Sequence, residues 1–308
     1  MTKKTIIIIF FSLAVIYIGG LTLAVMDFSK PVAPGDKLSV VASFYPLAFF
    51  AEQIGGDKAN VISLTPARTE PHDYEPTARD LGRIKNSRML ILNGGGLEAW
   101  ADQIRQNLNL TGTVIVIAGE GLANLPAAEK DQRAVDPHVW LSPVLAEKMA
   151  DKIAQGFLRI DPVNKVYYLS RAQTLKNQLA DLNKEFRQEL SACSEKNIIT
   201  SHAAFSYLVA AYGLNQVPIT GLSPEAELSP RQLAEMVKFA KANKVKFIFF
   251  ENLISPKLAE TIADEIGAET LTLNPLEGLS DQDTGQGKNY FTEMRNNLTN
   301  LKRALLCR

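Results

Sequence analysis

From Pro162 to Leu190, the apolar residues Val166, Leu169, Ala172, Leu175, Leu179, Leu182, Phe186 and Leu190 recur three and four apart, and no glycine or further proline interrupts the run. That spacing puts them on one face of a single long helix. Asp161 precedes Pro162, an N-cap residue followed by proline at the first helical position, where a missing N–H does no harm. At about 1.5 Å per residue the helix reaches on the order of 40 Å, enough to span a small domain. A rod of that length either joins two bodies or runs inside one large one. Alternating strand and helix patterns on both sides favour a stiff spine between two α/β halves.

The first half opens with an alternating β-branched strand, Leu38 to Ala42, and a Pro46-initiated helix that runs to Ile54 and stops at Gly55-Gly56. Val61 to Leu64 reads as a second strand, Thr77 to Asn86 as a helix, Met89 to Leu92 as a buried strand, Leu97 to Leu108 as a helix and Val114 to Ile117 as a fourth strand. A helix from Pro143 to Leu158 closes this half. The second half repeats the scheme with strand Asn197 to Thr200, helix Ala203 to Tyr212, strand Val217 to Thr220, helix Pro230 to Ala242 and strand Val245 to Phe250. Helix Pro256 to Ile266, strand Thr270 to Leu273 and a last helix from Tyr290 to about Leu306 follow. Strands separated by helices give parallel sheets with right-handed crossovers. The expected fold class is α/β, with two lobes over 38–160 and 192–308, each a parallel sheet flanked by helices, joined by one rigid linker helix over 161–191.

A chain of 308 residues that is 46% hydrophobic can fill two cores, at about 150 residues per domain. Its 33 basic and 33 acidic side chains cancel, which gives no sign of the basic face that nucleic-acid binding needs. Lys3 and Lys4 precede a stretch from Thr5 to Met26 that carries no charged side chain. Residues 1–26 are therefore an export signal, either a cleaved signal peptide or an uncleaved membrane anchor. The run exceeds a usual signal core, and its one cleavage-like triplet, Thr22-Leu23-Ala24, is weak. No cysteine lies nearby to carry a lipid. The two lysines stay on the cytoplasmic side, so everything that follows lies outside, at a cell surface or in a periplasm. Asp27 to Lys37, with Pro31, Pro34 and Gly35, reads as a flexible tether. The only two cysteines, Cys193 and Cys307, suit an exported chain with one disulfide, against the alternative of two buried thiols. A closing helix antiparallel to the second sheet would return Cys307 to the amino ends of the strands, where Cys193 lies.

The chain has three histidines, each in an irregular segment beside a strand or helix end: His72 in TEPHDYEPT, His138 in DPHVWLSP and His202 in ITSHAAF. Ligands of open parallel sheets sit outside the carboxyl ends of strands, which is where His202 falls. One such histidine is ordinary. Three, two from the first half and one from the second, are able to converge in a cleft between the halves. A fourth ligand is expected from a carboxylate of LTLNPLEGLSDQD, Glu277 first, with Asp281 or water as alternatives. Three imidazoles and one carboxylate make a four-coordinate set that suits Zn²⁺ better than Mn²⁺ or Ca²⁺, and such a set loses affinity as pH falls through the ordinary imidazole value of about 6.5. Asp73, Glu75 and Asp136 flank the histidines, either as acceptors for ring N–H groups or as capping and solvated residues. Glu251, at the end of FIFF, either faces the cleft or positions a loop. Asn93-Gly94-Gly95-Gly96 lacks the Lys-Ser/Thr ending of a phosphate loop and reads as a tight turn. There is no Gly-x-Ser-x-Gly elbow.

PHDYEPT, DPHVWLSP, TSHAAFSYL with a following YGL, GLSPEAELSPRQL, FFENLISPKLAETIA and LNPLEGL, in that order from about Leu38 to the C-terminus, resemble the zinc-binding solute-binding proteins of bacterial ABC transporters, the cluster A-I or zinc/manganese class. The resemblance implies two α/β lobes joined by a rigid helix, with a metal held between them and handed to a membrane permease. A continuous helix has no loop residues to absorb a large rotation, so little lobe motion is expected, and the receptor is expected to be a non-enzymatic monomer. By position His72, His138 and His202 match the family's histidine ligands, and Glu277 matches the glutamate of its NPLEGL branch. Manganese members typically carry Glu where His202 stands. Two departures are visible: Gly121 to Val135 has no histidine, unlike the His-rich loop of many zinc members, and Asn274 stands where some members have Asp. The rival readings are a manganese or iron receptor, a zinc hydrolase with Glu251 or Glu277 as base, and a surface adhesin.

Overall fold

The computed structural model describes residues 36–67, 69–126, 135–222, 229–252 and 255–308, with the side chain of Asp281 outside that set. The expected export signal and nearly all of the tether lie outside the described residues. Contacts divide the chain into Met1–Asp36 and Lys37–Arg308, and the second unit is described by itself. Among the described residues no helix is long and apolar enough to cross a membrane.

The unit holds two parallel four-stranded sheets of the same winding. In the first, the order is β2-β1-β3-β4, from β1 Leu38–Ala42, β2 Ala59–Ser63, β3 Met89–Leu92 and β4 Val114–Ile117. In the second, the order is β6-β5-β7-β8, from β5 Asn197–Thr200, β6 Asn215–Pro218, β7 Phe247–Phe250 and β8 Glu269–Thr272. β3 is buried at every position, because helices cover both faces of a parallel sheet. α1 Tyr45–Gly55, α2 Ala78–Lys85, α3 Ala101–Asn107 and α4 Pro143–Ile160 belong to the first lobe. α6 Ser206–Ala211, α7 Pro230–Ala242, α8 Lys257–Ile266, α9 Asp281–Gly285 and α10 Tyr290–Ala304 belong to the second. α9 was not expected; Ser280 starts it with a capping box to Asp283.

The spine, α5 Lys165–Glu189, follows a 3₁₀ turn at Pro162–Asn164. Its buried positions are Tyr168, Ala172, Leu175, Leu179, Leu182 and Phe186, spaced by fours and threes. Val166 and Leu169, expected on that face, are instead 82% and 40% exposed. Tyr168 takes the first inward position, stacked on Phe157 at 4.9 Å with its hydroxyl donating to Asp161, so an aromatic residue that the aliphatic pattern passed over sets the face. α5 packs on α1 and α4 in one lobe and on α10 in the other.

Strand alternation divides the interior. Val40 and Ile91 join one large core that runs along the spine through both lobes, whereas Val41 and Leu90 face a smaller cluster on the outer side of the first sheet. Ile199 and Ile248 face the corresponding outer cluster of the second sheet. The lobes therefore share one hydrophobic interior. Cys193 and Cys307 are disulfide-bonded, and Glu195 N–H donates to Leu305 O at 3.0 Å beside them, at the amino end of β5 as expected.

Candidate metal centre

Each histidine follows a strand's carboxyl end. The chain leaves β2 and reaches His72 through Glu70-Pro71. After β4 it crosses back through Pro126 and Val135, which pair, to Asp136-Pro137-His138. Asn93, buried at the turn after β3, donates from Nδ2 to Pro137 O at 2.9 Å, and Glu98 anchors that turn by accepting from the N–H groups of Asn93 and Gly94 and from Ser43. The Asn93–Gly96 stretch is thus a supporting turn; Gly94, Gly95 and Gly96 all have positive φ, and a Cβ at Gly94 would meet Ile117 at 2.6 Å. After β5 the first turn of the expected helix is given up: Thr200 Oγ1 donates to His202 O, and Ala203 N–H donates to Gly221 O, which leaves His202 on a loop and delays α6 to Ser206.

Glu277 comes from the loop after β8. Asn274 Oδ1 accepts from Leu276 N–H at 2.8 Å, its Nδ2 donates to Glu293, and Asn297 closes both backbone groups of Asn274. Leu276 sits at φ 59°, held there by this network. Asn274 is therefore a donor to a buried carboxylate.

These four loops bring His72, His138, His202 and Glu277 together, with one donor atom from each within 4.8 Å of the others. His72 Nε2 lies 3.1 Å from His138 Nε2, and Glu277 Oε1 lies 3.4 Å from His138 Nε2 and 3.9 Å from the Nε2 of His72 and of His202. Donors about 2.0–2.1 Å from a tetrahedral zinc ion stand about 3.4 Å apart, within the observed spread. The side chains of His138, His202 and Glu277 are fully buried, while that of His72 is 14% exposed. His202 Nε2 and both oxygens of Glu277 have no hydrogen-bond partner, a state that an enclosed polar group holds only at a cost unless a cation completes it.

Two further carboxylates orient the rings. His138 Nδ1 lies 2.8 Å from Asp136 Oδ1, and His202 Nδ1 lies 2.5 Å from Glu251 Oε1; donation from each Nδ1–H turns the Nε2 of each ring toward the centre. Of the flanking acids only Asp136 serves this way, since Asp73 and Glu75 are exposed. Glu251 faces the cleft and holds His202. Asp281 begins α9, and its side chain lies outside the described residues. Glu70 was not anticipated: its Oε1 accepts the His72 N–H at 3.5 Å, and its carboxyl lies close enough to Glu277 to feel that charge. Its position two residues before His72 was the only signal for it in the sequence.

The protonation of these groups follows from the enclosure. Burial, reinforced by His138, pulls His72 down to about 4. Burial also pulls on His138, but the Asp136 and Glu277 carboxylates outweigh it and hold this ring at about 9. Burial raises Glu277 while His138 and the other imidazoles outweigh it, to about 2; burial followed by the charges of Glu277 and Glu251 pushes Glu70 up to about 10.

The lobes meet around the site through three side chains. Trp140 donates from Nε1 to Pro275 O, Tyr290 donates to Trp140 O, and Tyr207 donates to Asp136 O.

The sequence profile of the family described as ZnuA, zinc-uptake complex component A, periplasmic, matches residues 40–304. The chain is 41% identical over 283 residues to the high-affinity zinc uptake system protein ZnuA of Bacillus subtilis, covering 88% of this chain and 89% of that protein. It is 38% identical to the zinc-binding lipoprotein AdcA of Streptococcus pneumoniae over 86% of this chain, but spans only 55% of AdcA. The crystal structure of the Zn(II)-bound ZnuA-like domain of that AdcA superposes with a TM-score of 0.77 at 37% identity, over 88% of this chain and 99% of the domain. Two like-wound parallel sheets on one spine agree with the superposition on that domain, and the chain belongs to the zinc-uptake complex component A family of extracytoplasmic solute-binding proteins.

Proposed function

We propose that this protein captures Zn²⁺ between lobes 38–160 and 192–308 with His72, His138, His202 and Glu277, and delivers it as cargo to the permease of an ABC importer. The carrying observation is the buried convergence of three imidazole Nε2 atoms and one carboxylate, two of the rings oriented by Asp136 and Glu251. Three imidazoles favour zinc over manganese by softness and by the affinity order of divalent ions. The protein acts as a receptor: Glu251, the residue placed to serve as a hydrolytic base, is engaged on His202 Nδ1. The linker over 161–191 keeps the lobes together, and residues 1–26, as a cleaved signal peptide or an uncleaved anchor ahead of the tether 27–37, place a monomer outside the cytoplasmic membrane.

Calorimetric zinc titration of the four single alanine variants tests the site. Each histidine variant is expected to lose on the order of a hundredfold or more in affinity, and Glu277→Ala less, because water can occupy its position. Unchanged affinity in any histidine variant overturns the interlobe site; a larger loss in Asp281→Ala than in Glu277→Ala transfers the fourth position.

A further inference from the structure

Net neutrality hides a segregation of charge along the first lobe. The carboxyl ends of its strands lead into the loops of Glu70, Glu98 and Asp136. At the amino ends stand Lys37 before β1, Lys58 before β2 and Lys85 closing α2, with Arg159 and Lys165 on either side of the turn between α4 and α5, and all five are exposed. The acids there are Asp36, Asp57 and Asp161. Tyr167 donates to Asp57, while Tyr168 and Asn164 donate to Asp161.

Within this basic pole Val163 and Val166 are 92% and 82% exposed, and Leu169 follows three residues on at 40%. Val163 stands in the 3₁₀ turn that leads into the spine, and Val166 and Leu169 are three apart in the first turns of α5, where residues at that spacing are neighbours. Two cations lie by Tyr167, one residue along the chain from Val166: Lys58 Nζ and Arg171 Cζ are 5.9 and 5.7 Å from its ring centre. Lys37, the first residue of this unit, is near enough to act on Asp57.

We propose that this pole is a lipid-facing surface that rests on an anionic phospholipid bilayer, with the valines among the headgroups and the lysines against the phosphates. Exposed aliphatic side chains flanked by Lys and Arg are the combination by which peripheral segments hold a bilayer: the apolar part gives depth and the cations give attraction to anionic lipid. Two copies of a basic pole repel each other, which disfavours self-association through it. The metal centre follows the opposite ends of the strands and stays free. The inference does not depend on zinc being the cargo.

The test uses the unit Lys37–Arg308, which contains both sheets and all three cores and corresponds to the solved AdcA domain that it covers to 99%. It is sedimented with vesicles of phosphatidylcholine alone and of phosphatidylcholine with phosphatidylglycerol, at low and high salt. Binding is expected only with phosphatidylglycerol, weakened by salt, and weakened about tenfold in V163S/V166S and by at least as much in K58E/K165E. Both variants alter exposed side chains, and an unchanged melting temperature verifies that they fold. Absence of binding to phosphatidylglycerol vesicles, or equal binding by wild type and both variants, overturns the proposal. So does a lipid-independent dimer of the wild type, abolished in V163S/V166S, which would assign the face to a second copy.

Discussion

At the level of single residues, the three imidazoles of the centre are not equivalent. His72, held at about 4, is neutral at physiological pH, whereas His138, held at about 9 by Asp136 and Glu277, is protonated there in the metal-free protein. Because the folded value of His138 lies above the ordinary value of about 6.5, its charged form stabilises the metal-free fold fully below that value, and the contribution is lost as pH rises through about 9. Zinc takes the place of that proton. Calorimetry near pH 7.5 in buffers of different ionisation enthalpy should therefore report about one proton released per zinc bound, and affinity should begin to fall below about pH 9 rather than only near 6.5. No proton release would contradict this ordering. Asn274 gives a second test at this scale. Asn274→Asp replaces the Nδ2 donor to Glu293 with a carboxylate facing a carboxylate, and should destabilise the fold by about 1–3 kcal/mol in denaturant melts while loosening the Glu277 loop. A neutral result would mean that the loop does not depend on this hydrogen bond.

Among the elements, the disulfide and the spine act far from the metal. Cys193 lies before β5 and His202 after it, so bridge and site occupy opposite ends of one strand. With its cysteines 114 positions apart in sequence, the bridge restrains a long loop of the unfolded chain. C193S/C307S should lower stability by about 2–5 kcal/mol and leave zinc affinity unchanged; a joint loss of both would show that the strand transmits strain to His202. The spine is tied at both ends, by Arg171 to the Gln53 carbonyl at 2.7 Å and by the paired contacts of Arg295 with Glu185 at 2.8 and 2.9 Å. These exposed contacts add little energy beside the buried stripe, but they fix where along the helix each lobe sits.

For the whole molecule, the shared core and the reciprocal bonds of Trp140 with Pro275 and Tyr290 leave few loop residues to absorb a hinge rotation. Label-to-label distances across the lobes should differ between zinc-free and zinc-loaded protein by a few ångströms at most, with ordering confined to the loops of His72 and Glu277. A rotation of tens of degrees would refute this.

The sequence by itself determined the periodic parts. Leu38–Ala42, Met89–Leu92, Val114–Ile117 and Asn197–Thr200 are strands at their expected bounds, because parallel strands covered by helices read as short apolar runs closed by turn residues. The three histidines and Glu277 were legible as motifs beside strand ends. Tertiary structure alone decided what periodicity does not encode: that Tyr168 rather than Val166 turns inward, that Ala203–Phe205 unwinds to present His202, that Asp136 and Glu251 but not Asp73 or Glu75 hold the rings, and that Glu70 comes under the charge of Glu277. Those outcomes depend on which side chains meet across loops distant in sequence. Local patterning fixes the face of an element, whereas partners, burial and protonation are set only once the lobes pack together.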